Sequence, residues 1–131
     1  MSAEQIVATM LNKPALTNLI GNKIFATSAT PNAKPPYLVY EVVSDVAKPN
    51  LNVNEPVRSD ANIRIYALSL KLDQLQSIND AVKDALHFKF QIVVGGKKVI
   101  ESRLVSKNPI EKDHETGIYI QGTDCILRYY E

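Results

Sequence analysis

The sequence predicts an α+β fold: an antiparallel or mixed β-sheet with an N-terminal helix and one long helix packed on one of its faces. Three observations lead to this prediction. Two segments place apolar residues at helical spacing, several others alternate at the period of a strand, and the order is helix, short strand, two long strands, helix, hairpin and final strand. With 131 residues, 45% of them hydrophobic, we expect one domain over residues 1–131 with a sizeable core.

The N-terminal segment SAEQIVATMLN predicts an amphipathic helix. Ser2 can cap this helix, and Gln5 stands three residues further on, as in a capping box. Pro14 begins a second helical turn, and Gly21 supplies the left-handed residue that ends it. The residues from Lys23 to Phe25 are predicted to form a short extended piece. The proline-rich segment ATSATPNAKPP that follows is expected to be an extended connection to the next strand.

The stretch PPYLVYEVVSDV, from Pro35 to Val46, predicts a strand with apolar and aromatic residues on both faces. A half-buried strand normally alternates apolar with polar residues. Its second face must therefore be shielded by the terminal strand and loops, or left for another subunit. The loop KPNLNVNEP is longer than a hairpin needs. After it, SDANIRIYALSL predicts a second long strand, which we expect to pair antiparallel with the first.

The segment LKLDQLQSINDAVKDALHF predicts the long helix, because its apolar residues recur at helical spacing opposite polar ones. The segment GIYIQGTDCILRYYE predicts the final strand, in which Gly122 is a candidate kink. Between them, FKFQIVVGGKKVIESRLVSK predicts a hairpin whose loop could have two lengths.

The loop length decides which side chains share a face of this hairpin. A two-residue loop of Gly95 and Gly96 would set Phe90 across from Glu101. A three-residue loop would instead gather five apolar residues on one face. We predict the three-residue loop, which groups Phe88, Phe90, Ile92, Ile100 and Leu104.

Few residues suggest chemistry. His87, at the end of the long helix, is interpreted as offsetting the negative end of the helix, and His114 as lying in a solvated loop. Cys125 lies on a predicted strand, where a lone cysteine usually acts as a small apolar filler. Asp113, His114 and Glu115 are consecutive, so they point in different directions and cannot close a metal shell by themselves. We therefore predict no enzyme, no catalytic residue, no cofactor and no metal site.

The net charge does not indicate a class of binding partner, because 15 basic residues balance 14 acidic ones to a net charge of +1. Positive charge does concentrate around the hairpin at Lys97 and Lys98, although VVGGKKV lacks the spacing of a phosphate-binding loop. These lysines could contact a phosphate backbone, but more often such lysines protect an edge strand. The six tyrosines could stack on single-stranded nucleic acid, although on strands they are more often packing residues.

No membrane contact is expected either. The N-terminus has no apolar block long enough for a signal peptide, and nowhere do 18 apolar residues run together. We therefore expect a protein that is not secreted by the general route. A single cysteine excludes an internal disulfide, which fits a reducing cytoplasm.

Taken in order, ALTNLIGNKIFATSATPNAKPPYLVYEVVSD and ANIRIYALSLKLDQLQSINDAVKDAL resemble the small tail completion proteins of long-tailed bacteriophages, also called tail terminators. Lys23 and Phe25 replace a commoner arginine and tyrosine, and Tyr66 stands where tryptophan is frequent. Beyond Leu86 only the general strand pattern is similar. The matching positions are Leu19, Gly21, Lys23, Ile24, Phe25, Pro36, Tyr37, Tyr40, Ile63, Arg64, Ile65, Tyr66, Ala85 and Leu86.

The resemblance implies a structural protein of the virion tail, assembled in the cytoplasm of the bacterial host. It would form a hexameric ring that terminates the tail tube and joins it to the head connector. Its partners would be further copies of itself, the tail tube protein and the head–tail connector protein, with transient contact to DNA in the channel. The expected contact residues are Tyr37, Val39, Tyr40, Lys48, Asn50, Leu51, Asn52, Val53, Asn54, Lys97 and Lys98.

Three alternatives stay open at this point. Related small proteins of the phage neck share the same plan. A nucleic-acid-binding module would use the basic hairpin around Lys97 and Lys98 together with the tyrosines. A small hydrolase would be built on His87 or His114.

Overall fold

The computed structural model describes residues 2–27, 33–48 and 57–130. Its elements are α1 (Ala3–Leu11), α2 (Pro14–Ile20), β1 (Ile24–Ala26), β2 (Tyr37–Lys48), β3 (Arg58–Ser69), α3 (Leu72–Leu86), β4 (Lys89–Val94), β5 (Lys97–Lys107), β6 (Glu111–Lys112) and β7 (Tyr119–Tyr130). The strands form one mixed sheet in the order β1-β2-β3-β7-β5-β4, with β6 beside β7. β1 and β2 are parallel, and the remaining pairs are antiparallel. The predicted α+β class is therefore confirmed.

The predicted helix ends are confirmed at α1 and α2. The backbone N–H of Ser2 donates to Oε1 of Gln5 at 2.8 Å, and the N–H of Gln5 donates to Oγ of Ser2 at 3.4 Å, which completes a capping box. Pro14 is the first residue of α2. Gly21 follows the last turn with a φ of 65°, a backbone conformation that favours glycine.

The helices cover one face of the sheet, here called the helical face. Along β3 the odd-numbered residues Ser59 to Ser69 are buried on this face, while the even-numbered residues lie on the opposite, open face and keep part of their surface. The same alternation holds in most of β7. One apolar core therefore fills the space between helices and sheet. Its largest fully buried side chains are Ile6, Leu11, Leu16, Leu38, Ile63, Ile65, Leu75, Ile78, Leu86 and Leu127.

The β4–β5 hairpin has a two-residue loop, so the predicted three-residue loop is wrong. Val94 pairs with Lys97, and Phe90 pairs with Glu101 on the open face. Gly95 and Gly96 have φ values of 56° and 82°. Two successive residues with positive φ suit the turn whose twist matches a two-residue hairpin, and this local preference outweighs the grouping of apolar side chains.

The antiparallel ladder between β3 and β7 continues unbroken across Gly122, which pairs with Tyr66 on the open face. A Cβ atom on Gly122 would lie 3.0 Å from Nδ2 of Asn108 and 3.2 Å from Cε1 of Tyr66. These distances are too short for a relaxed contact. The glycine therefore has a packing reason, since its missing side chain leaves room for the Tyr66 ring.

Charged residues on the open face pair across neighbouring strands. In one row, Arg128 of β7 donates through Nη1 to Oε2 of Glu101 on β5 at 3.0 Å, and its Nε lies 3.8 Å from Oδ2 of Asp60 on β3. In another row, Nε of Arg64 on β3 donates to Oδ1 of Asp124 on β7 at 2.9 Å. Because a slip of one residue would move these partners to opposite faces, the pairs favour the observed register.

We expect Gly122→Ala to destabilise the fold by about 1–3 kcal/mol, because the added methyl group must displace the Tyr66 ring or the Asn108 amide. Backbone conformation is not the reason, since Gly122 lacks a positive φ and alanine would otherwise stabilise a strand relative to glycine. Urea denaturation of Gly122→Ala, Tyr66→Ala and the double variant measures the effect. The cost should shrink when Tyr66 is already alanine, and an equal cost in both backgrounds would contradict the packing explanation.

We expect the Asp124 carboxylate to stabilise the fold at neutral pH and to lose this effect in acid. The hydrogen bond from Arg64, aided by one from Ser106, lowers the pKa of Asp124 below its ordinary value of 3.8. The contribution is therefore complete above the pKa of the unfolded chain and disappears as the pH falls through the pKa of the folded protein. Asp124→Asn should cost at most about 1 kcal/mol at pH 7, because the pair is partly exposed.

Urea denaturation at a series of pH values measures this linkage. The difference in unfolding free energy between wild type and Asp124→Asn should shrink as the pH falls below about 4. The matched control is Asp80→Asn, on the exposed side of α3. A difference that stays constant from neutral pH into acid would rule out the ion pair as its source.

Candidate interaction surface

The beginning of β2 is covered on both faces. Leu38 and Tyr40 are buried on the helical face. On the open face Tyr37 and Val39 are half-buried, and the Tyr37 ring packs edge-on against Phe25 with 5.9 Å between ring centroids. The chain itself therefore shields much of the second apolar face at this end of the strand.

The rest of β2 is open. β1 pairs with β2 only through Leu38, Val39 and Tyr40. From Glu41 to Lys48, here called the β2 edge, no strand among the described residues pairs with the side that faces away from β3. Val43 and Val46 on this edge are 55% and 51% exposed. An edge strand with free backbone groups and exposed apolar side chains is a surface that other chains can bind.

A bulge changes the alternation along the β2 edge. The register shifts between Val42 and Ser44, so that Val43 is the extra residue. Beyond the bulge Asp45 pairs with Ala61 and turns to the helical face, where its Oδ2 accepts a 2.7 Å hydrogen bond from the Tyr129 hydroxyl. Val46, opposite Asp60, remains on the open face.

The other end of the sheet carries a second exposed apolar edge. Within the described part of the chain β4 pairs only with β5, and the segment from Phe88 to Val94 is here called the β4 edge. Phe88 and Phe90 are 65% and 53% exposed, and their rings lie 6.2 Å apart in a stacked arrangement. Val93 is 72% exposed. Such a contiguous apolar cluster indicates a contact site, since isolated exposed apolar residues are ordinary but clusters are not.

A groove continues the β4 edge onto the helical face. It has a volume of about 500 Å³ and runs between the end of α1, the C-terminal half of α3 and β4. Its walls combine apolar side chains such as Met10 and Ile92 with the charged groups of Lys13, Asp84 and Lys89. The apolar surface at this end of the sheet is therefore larger than the strand alone.

The structure separates the residues predicted to contact a partner. Tyr37 and Val39 lie on the open face, and Lys48 is exposed at the end of β2. Lys97 and Lys98 lie at the opposite end of the sheet, across from Val94 and Val93. The predicted contacts at Asn50, Leu51, Asn52, Val53 and Asn54 lie outside the described residues.

Tyr40 is not part of the exposed surface. It is 6% exposed, because alternate residues of a strand point to opposite faces and Tyr40 faces the helices. The sequence prediction also missed the exposure of Phe88 and Phe90, which it assigned to an apolar face of the hairpin. The Gly95–Gly96 pair was the signal that could have corrected it, since it favours the two-residue turn.

His87 and Cys125, two side chains with the potential for chemistry, make contacts that hold elements of the fold together. Nδ1 of His87 accepts a 3.0 Å hydrogen bond from the backbone N–H of Leu104, which ties the end of α3 to β5. Cys125 is buried with its Sγ 3.7 Å from Oγ of Ser102, and burial raises the pKa of this thiol to about 11. The thiol is therefore protonated at neutral pH and a poor nucleophile. In residues 2–27, 33–48 and 57–130, no cluster of His, Cys, Asp and Glu could hold a metal ion.

The open face offers few unpaired positive charges and few exposed aromatic rings to which nucleic acid could bind. Arg64 and Arg128 are held by carboxylates. Lys97 and Lys98 take no part in the ion pairs found among the described residues. The six tyrosines are all buried or half-buried, so none offers a freely exposed ring for stacking. Among the described helices none is long and apolar enough to cross a bilayer.

Comparison with known proteins agrees with this description. The chain matches the family of Tail completion protein gp17 over residues 4–119. No curated protein matches it. A chain in a solved structure, "Virion of native gene transfer agent (GTA) particle", is similar with a TM-score of 0.73 and 11% sequence identity, covering 99% of this chain and 96% of that chain. At this identity the likeness shows the fold.

The family match covers nearly all the elements of the fold, from α1 to the first residue of β7. It includes both the β2 edge and the β4 edge. The chain therefore belongs to the tail completion protein gp17 family and is a structural protein of the phage virion tail.

Proposed function

We propose that six copies of this chain, each a single domain of residues 1–131, form a ring that terminates the tail tube and joins it to the head connector. The family supports the place in the tail. The observation that carries the ring is the pair of exposed apolar edges at opposite ends of one sheet. A ring needs one surface on each copy that fits a different surface on the next, and two distinct edges meet this requirement.

The two edges differ in composition as well as in position. The β2 edge carries Val43 and Val46 together with the acidic Glu41 and Asp45. The β4 edge carries phenylalanines and has the basic Lys89 within it. Two like edges that fitted themselves would give a closed dimer, whereas two unlike edges lead from copy to copy and give a ring when the rotation between copies closes.

The proposed role requires binding and no reaction. Seating a ring on the last layer of the tail tube blocks further addition of tube subunits, and the opposite surface of the ring is then free for the connector. The expected partners are the chain itself, the tail tube protein and the connector protein, with DNA passing transiently through the channel. No cofactor or metal enters this role.

We expect the double change Val43→Glu and Val46→Glu to abolish the ring, because it buries two unpaired charges in the proposed contact. Light scattering after size exclusion and electron microscopy measure it, with and without tail tubes. Wild type should reach six times the mass of one chain, and the variant should remain monomeric and fail to complete tails in a complementation assay. Leu70→Glu is the matched control, since this leucine is 54% exposed but lies in the connection between β3 and α3, outside the β2 edge.

A wild-type chain that stays monomeric at high concentration, and also on tail tubes, would contradict the ring. Loss of assembly in Leu70→Glu to the same extent as in the double variant would show that an added charge disturbs assembly wherever it is placed, and would remove the support for the β2 edge.

A nucleic-acid-binding module is the second candidate, because Lys97 and Lys98 are outside the described ion pairs. We expect only weak binding to duplex DNA, with a Kd no tighter than about 10⁻⁶ M at physiological salt, as for non-specific contact. Titration at several salt concentrations measures it. Tighter binding that falls steeply with salt and is lost in the Lys97→Glu, Lys98→Glu variant would favour this candidate over the ring.

A further inference from the structure

We propose that the sheets of neighbouring copies join edge to edge, with β4 of one copy lying parallel beside the β2 edge of the next. The exposed phenylalanines of one copy would then cover the exposed valines of its neighbour. This inference rests on the proposed ring and names the two surfaces that form it.

Strand direction supports a parallel contact. Between β2 and β4 the sheet passes through four antiparallel pairs, β2–β3, β3–β7, β7–β5 and β5–β4. β2 and β4 therefore run in the same direction. A cyclic arrangement that continues the sheet keeps this direction from copy to copy, so β4 must meet the next β2 in parallel.

The β2 edge is already adapted to a parallel neighbour. β1 lies parallel to β2 but occupies only Leu38 to Tyr40. A parallel β4 from another copy would lie along the same side of β2 as β1, further towards Lys48, with Lys89 beside Asp45 and Phe90 beside Val46.

The side chains that this alignment brings together are compatible on both faces of the sheet. Phe90 pairs with Glu101 and Val46 with Asp60, so both apolar residues lie on the open face and would become neighbours when the edges meet. On the helical face the corresponding residues are charged and of opposite sign. They are Lys89, which pairs with Ser102, and Asp45, which pairs with Ala61.

Irregular backbone at both edges accounts for selectivity. Gln91, in the middle of β4, has a φ of 52°, which is rare for a residue other than glycine, and the β2 edge contains the bulge at Val43. A regular free edge would accept any strand, whereas an irregular one pairs over part of its length and relies on side chains for the rest. Correct partners are thereby distinguished from other exposed strands.

Cross-linking tests the contact directly. Single cysteines are introduced as Val46→Cys in one preparation and Phe90→Cys in another, and a short bismaleimide is added to each preparation and to their mixture. The native Cys125 is buried and protonated, so it should not react in the folded protein. Circular dichroism and electron microscopy first establish that each variant folds and forms rings.

We expect no covalent dimer from either variant alone and a covalent dimer from the mixture. The double variant Val46→Cys, Phe90→Cys should give a ladder that ends at six copies on a denaturing gel. The matched control, Leu70→Cys with Phe90→Cys, should give no ladder, because Leu70 lies in the connection between β3 and α3, outside the β2 edge.

Each other result overturns the edge pairing. A dimer from Val46→Cys alone would show that two β2 edges meet through a two-fold axis, and a dimer from Phe90→Cys alone would show the same for β4. Rings that form normally but give no ladder would reject the edge pairing while leaving the proposed function intact. Absence of rings in the wild type, both in solution and on tail tubes, would reject the proposed function, and the edge pairing with it.

Discussion

The organisation of this protein depends on one packing constraint: a single helical layer covers a sheet that has two faces and two ends. The helices bury the odd-numbered residues of β3 and leave the even-numbered ones on the open face. They bury Leu38 and Tyr40 at the start of β2, whereas Val43 and Val46 further along stay exposed. At the far end, Val94 and Val99 join the core while the phenylalanines of the β4 edge remain outside. The surfaces available for assembly are thus those that one helical layer cannot reach.

Several charged residues on the open face form ion pairs within each copy. Arg128 bridges Asp60 and Glu101, and Arg64 binds Asp124, so that positive and negative groups alternate across β3, β7 and β5. Pairs of this kind contribute little to stability, but they fix which strands are neighbours and in which register. They also leave no excess of one sign at the middle of the sheet. Among the described residues, Lys97 and Lys98 take no part in these ion pairs and lie at the hairpin end of the sheet, where a neighbouring copy would approach in the proposed ring.

The sequence was sufficient for the elements whose pattern is local. The capping box at Ser2, the glycine that ends α2 and the apolar stripe of α3 each depend on residues within a few positions of one another, and each prediction is confirmed. The hairpin register failed because two tendencies competed, and the turn preference of Gly95–Gly96 outweighed the clustering of apolar residues. The sequence of β2 alone could not predict which part of its open face is covered. Tyr37 and Val43 are both apolar or aromatic residues of the same strand, but Phe25 packs against Tyr37 and does not cover Val43. This difference arises because β1 lies parallel to β2 only at the start of the strand.

The difference between the two edges explains why assembly would stop at a closed ring. Valines with carboxylates at one end of the sheet and phenylalanines with a lysine at the other complement each other better than either complements itself, which disfavours a two-fold dimer. An open chain of copies would always leave one β2 edge and one β4 edge in water. Closure removes both at once, because the last β4 edge meets the first β2 edge, and a sheet that closes on itself has no free edge. The exposed edges would make a single copy prone to unwanted strand pairing. In the proposed ring, burial of these same edges favours closure.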